Sequence, residues 1–104
     1  MARFLEVAAT AGADGVDLTL SGHAERPAEI AAAVRASGLQ VSAIHALTDW
    51  ALPDDADPRP ALSVLKDAAL AANAPLILCV APLRMDHLPP AAEVRASASA
   101  RLAM

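Results

Sequence analysis

Two kinds of hydrophobic spacing alternate along the chain. Stretches with apolar residues at i, i+3, i+4 and i+7 give way, across short turns, to runs dense in Val, Ile and Leu, the change of period that separates an amphipathic helix from a strand. The first such unit passes from a helix at Ala2–Ala11, with Phe4, Val7, Ala8 and Ala11 on one face, through Gly12, Asp14 and Gly15 into a strand at Val16–Leu20. In that strand Val16, Leu18 and Leu20 point one way, and Asp17 and Thr19 the other. The second helix, Pro27–Ser37, buries Ile30 and Val34, stops at Gly38 and feeds a central strand within Gly38–Leu47 that holds Val41 and Ile44 and ends at His45. The third is capped by Asp57, starts at Pro58 and aligns Leu62, Leu65, Ala69 and Ala72. Asn73, tolerant of left-handed backbone, ends it before the apolar run Leu76–Val80. That run is apolar on both sides and reads as a buried parallel strand. A last helix, about Ala91–Leu102, carries a thin stripe of Val94, Ala98 and Leu102.

Repeated helix-turn-strand units predict an α/β fold of about three parallel strands alternating with about four helices. In such sheets ligands gather outside the carboxyl ends of the strands, which places His45 at the rim of any site.

Composition narrows the picture. The 104 residues allow one domain at most. The hydrophobic fraction of 56% overstates the core, because 28 of the residues are alanine and large apolar side chains are scarce, with one Phe, one Trp and no Tyr. A net charge of −4 with only 8 Lys and Arg, scattered along the chain, argues against nucleic acid as a partner. A single cysteine, Cys79, cannot form an internal disulfide and fits a cytoplasmic protein, and its apolar surroundings read as a packed core thiol. The sequence has no long charge-free apolar run and no signal-like amino terminus, so no membrane partner is expected. Dinucleotide, triphosphate and serine-hydrolase motifs are absent.

The order of elements and the wording of two turns resemble the xylose-isomerase-like TIM barrels of the sugar phosphate isomerase and epimerase group. Leu5-Glu6-Val7-Ala8-Ala9-Thr10-Ala11-Gly12-Ala13-Asp14-Gly15-Val16-Asp17-Leu18 is similar to that family's first helix and second strand, and Gly38-Leu39-Gln40-Val41-Ser42-Ala43-Ile44-His45-Ala46-Leu47 to its next helix end and strand. Ala71–Pro82 resembles the unit after that, so the likeness covers about residues 4 to 82. Members of the family open with a strand before the first helix and continue through four more strands. The resemblance therefore implies a partial barrel, a single domain over residues 1–104 lacking the first strand and the C-terminal half. It further implies a sugar or sugar phosphate as partner and a divalent metal (Mn, Mg, Co or Zn) in full-length relatives, not held by this chain alone.

Candidate chemistry centres on three residues. His45 stands where the family places a histidine that binds metal or orients a sugar hydroxyl; the alternative is a strand-end histidine bonded to a loop carbonyl. Asp17 takes the acidic position at the end of the preceding strand, to contact substrate or neighbour His45; otherwise it is a charge held by turn amides or an arginine. Trp50, with Asp49, would form an aromatic wall for a sugar, or simply cover the end of the sheet. His23 and His87 read as solvated loop residues, and Ala81-Pro82 stands where metal-binding relatives carry a further histidine. The implied activity is isomerase, epimerase or dehydratase chemistry on a small sugar or cyclitol. Its competitor is a non-enzymatic α/β half-barrel that self-associates or pairs with another fragment through exposed strand edges.

Overall fold

The computed structural model describes residues 1–80 and 86–104. Among these the elements run α1 (Ala2–Thr10), β1 (Gly15–Leu20), α2 (Pro27–Ser37), β2 (Gln40–Ala46), α3 (Arg59–Ala71), β3 (Ile77–Cys79) and α4 (Ala91–Leu102). The strands form one parallel sheet in the order β1-β2-β3. Because sequential parallel strands joined by helices cross over with one hand, a sheet that never reverses its order keeps its crossover helices on one face. The core agrees with this. Leu5 of α1, Ile30 and Val34 of α2 and Leu65, Ala68 and Ala69 of α3 pack in one cluster against Val16, Leu18, Leu20, Val41 and Ile44 of the strands. The fold is thus a one-sided α/β array whose second sheet face is open among the described residues.

Local chemistry accounts for most boundaries. Pro27 starts α2 with a preset φ, and Gly38 ends it in the left-handed conformation at φ 71°. Asn73 takes the same role after α3 at φ 55°. Asp57 accepts a hydrogen bond from the Arg59 amide at 3.0 Å and grips the Arg59 guanidinium at 2.7 Å, which fixes the entry to α3.

Several expectations change. On α1 the inward residue is Leu5, supported by Ala8 and Ala9, while Phe4 and Val7 are exposed. Both stripes have helical spacing in an alanine-rich segment, so spacing alone could not choose between them. Strand β3 is not buried. It is an edge strand, with Leu76 at 56% and Leu78 at 41% exposure, because no helix covers its open face and no strand follows it in the sheet among the described residues. Helix α4 has no buried residue, and Leu102 of its stripe is exposed. Cys79 is likewise exposed instead of packed in the core.

Candidate functional site

Strand β2 contains the irregularity on which the site depends. The pairing of β1 with β2 runs Val16 with Val41, then Asp17 with Ala43, leaving Ser42 as an extra residue. An inserted residue shifts every later side chain to the other face of the strand. Without it, Val41 facing the helices would force His45 to face them too. With it, Val41 and Ile44 both enter the core, three residues apart, and His45 emerges on the open face opposite Thr19.

There His45 Nε2 lies 3.2 Å from Asp17 Oδ2, with side-chain exposures of 38% and 50%. The two are 28 residues apart in sequence and are brought together by the parallel pairing of β1 with β2 and the extra residue at Ser42. Asp17 is the third residue of β1 instead of its last, since the strand continues through Thr19 and Leu20; it reaches His45 along the diagonal between neighbouring strands. When Nε2–H donates to this carboxylate, the lone pair of Nδ1 is left free to accept from a hydroxyl or to bind a cation.

Thr19 joins the pair: it lies two residues after Asp17, and this period-two spacing, already present in the sequence, puts its side chain on the same face. It stands beside His45 in the register and is exposed. Trp50 lies elsewhere. It is nine-tenths buried and lines a cavity with Leu62 and Lys66 of α3 and Cys79 of β3. Cys79 pairs with Ala46 and lies on the sheet face opposite His45, so Trp50 and the Asp17–His45 pair do not share a pocket.

The loop that follows β1 is tightly ordered. The Glu25 carboxylate accepts from the backbone N–H groups of Ser21, Gly22 and His23 at 2.6, 2.8 and 3.1 Å, and from the Ser21 hydroxyl at 3.0 Å. Partial burial pushes the Glu25 pKa up, but hydrogen bonds from Ser21, from its own amide and from Gly22 outweigh this and hold it below its ordinary value. His23 and His87 are exposed loop residues.

A divalent cation needs at least three converging protein ligands. The pair supplies two, and among the described residues no group of three His, Cys, Asp or Glu side chains could hold a metal ion. Ala81 and Pro82, noted at the end of the third strand, lie outside the described residues. The residues described therefore do not by themselves fit a complete metal centre. No helix among the described residues is long and apolar enough to cross a membrane.

No family model, curated protein or solved structure matches the chain. The class that fold and site define is a parallel α/β array bearing an acid-imidazole pair on its open face.

Proposed function

We propose that the chain contributes the Asp17–His45 pair to the substrate site of a sugar phosphate isomerase- or epimerase-like barrel acting in the cytoplasm on a small sugar or cyclitol. The observation that carries this reading is the 3.2 Å contact between a carboxylate and an imidazole on the uncovered face of a parallel sheet. That face becomes the interior when such a sheet closes into a barrel, and His45 lies one residue from the carboxyl end of β2, where barrel enzymes bind their substrates. In this role Asp17 fixes the ring and tautomer of His45, and Nδ1 faces a sugar hydroxyl or a metal ion completed by other ligands. The carboxylates that move a proton beside the carbonyl belong, in this reading, to further strands, so the isolated chain binds weakly and does not turn over.

Nuclear magnetic resonance of the His45 ring tests it. A panel of ketose phosphates and inososes, with and without Mg²⁺ or Mn²⁺, is expected to shift the His45 signals saturably for at least one member, and Asp17→Asn is expected to weaken that response. A His45 ring indifferent to the whole panel sinks the proposal. Measurable epimerisation or dehydration by the isolated chain sinks its second part.

One observation favours a second reading, a half-barrel that self-associates. Leu78 of β3 and its flanking residues Leu76 and Val80 are 41%, 56% and 55% exposed. An apolar, unpaired strand edge is a template for pairing. Mass in solution at micromolar concentration decides this: a dimer that Leu78→Lys converts to monomer supports it, and a monomer in the parent chain removes it.

A further inference from the structure

On the helical side of the sheet, away from Asp17 and His45, a cavity of about 340 Å³ opens between α3 and the end of α4. We propose that it binds a small amphipathic monocarboxylate, with its apolar tail against Trp50, Leu62 and Leu102 and its carboxylate at Lys66.

The volume lies in the range of small-molecule sites, roughly 300–1,000 Å³. The charge of the lining selects the ligand. Lys66, Arg59 and Arg101 border the cavity and, among the described residues, no Asp or Glu side chain does, in a chain whose net charge is −4. Two of these cations are engaged. Arg59 is paired with Asp57 at 2.7 Å, and Arg101 donates to the backbone carbonyls of Ala56 at 2.8 Å and Asp55 at 2.6 Å. Those carbonyls occupy its N–H groups without neutralising its charge. Lys66 has no hydrogen-bond or ion-pair partner among the described residues. One free ammonium over apolar walls suits one carboxylate; a polyphosphate would need several free donors.

Trp50 enters the site as an apolar wall, nine-tenths buried beside Leu62. Cys79 contributes a wall, and partial burial of its thiol pushes the pKa above the ordinary value. The proposal does not rest on the sugar reading, which concerns the other face of the sheet.

Trp50 is the only tryptophan and so reports on its own cavity. The full chain is titrated with octanoate, octanol and octylammonium below their micellar concentrations while Trp50 emission is followed. Octanoate is expected to give a saturable change at lower concentration than octanol, and octylammonium the weakest response. Lys66→Met, at an exposed position, is expected to weaken octanoate about five-fold and to leave octanol unchanged. Three results overturn the proposal: no saturable change in emission, octanoate and octanol binding alike, or octanoate affinity indifferent to Lys66→Met.

Discussion

Gly22 shows how much one hydrogen atom in place of a side chain can decide. Its φ is +81°, and a Cβ there would sit 2.6 Å from the Ala61 carbonyl oxygen, so the loop after β1 is pressed directly against the first turn of α3. Gly12 has a similar φ of +87° but open space around it. Gly12→Ala should therefore cost only the left-handed backbone penalty, about 1–2 kcal/mol, and Gly22→Ala more than that, because backbone must also move. Urea unfolding of the two variants side by side checks the order. The Glu25 carboxylate that organises the same loop has its pKa lowered on folding, so its contribution is complete above the unfolded value of 4.5 and is lost as pH falls through the folded value. Glu25→Gln should be less stable than the parent near neutral pH, and the gap should close progressively below about pH 4.5. Asp57, held down to about 2 by its hydrogen bonds to Arg59, keeps its charge further into acid. The sequence marks Asp57 at the entry to α3 and Gly12 after α1, but the Glu25 network and the close approach at Gly22 were not legible there, where Ser21–Arg26 reads only as a polar loop.

At the scale of elements, β2 and α4 make opposite points. The core residues of β2, Val41 and Ile44, are three apart, which a regular strand cannot bury on one face. The extra residue at Ser42 resolves the conflict and aims His45 at the open side. Deleting Ser42 should force either Val41 or the Ile44–Ala46 segment out of the core, costing several kcal/mol, about the loss from removing one buried Leu or Ile side chain. A chain that no longer unfolds cooperatively in urea is the expected result; parent-like stability would refute the bulge. Helix α4 was legible as an element, and its bounds match the spacing reading, yet its partner was not. It buries nothing and is tethered through Arg101 to the carbonyls of the β2–α3 loop. Arg101→Ala should bring the α4 amides to near-intrinsic hydrogen exchange while the sheet amides keep their protection.

For the molecule as a whole, one thin core carries the stability. Leu5, Leu18, Ile44 and Leu65 are the large side chains that are fully buried, and most of the other buried positions are alanine or valine. Leu65→Ala is expected to cost about 2–5 kcal/mol, a large share of a domain stability of about 5–15 kcal/mol. Thermal unfolding followed by circular dichroism reads this directly. The molecule is elongated, 46 by 23 by 21 Å, with a radius of gyration of 15.5 Å where about 13 Å suits a compact chain of this length. One helical layer cannot enclose a sheet, and the face it leaves bare is the one that bears Asp17 and His45.

What the sequence determined by itself was local: which segments are helix or strand, where Pro27, Gly38 and Asn73 start and stop them, and that the units repeat in one direction. These follow from backbone geometry and from the spacing of apolar residues, which act over a few positions. The tertiary structure alone decided which stripe of α1 turns inward, that β3 lies at an edge, that Trp50 belongs to the helical side, and that Asp17 meets His45. Each of these depends on pairing between distant segments, and the meeting of Asp17 with His45 turns on a single unpaired residue in β2.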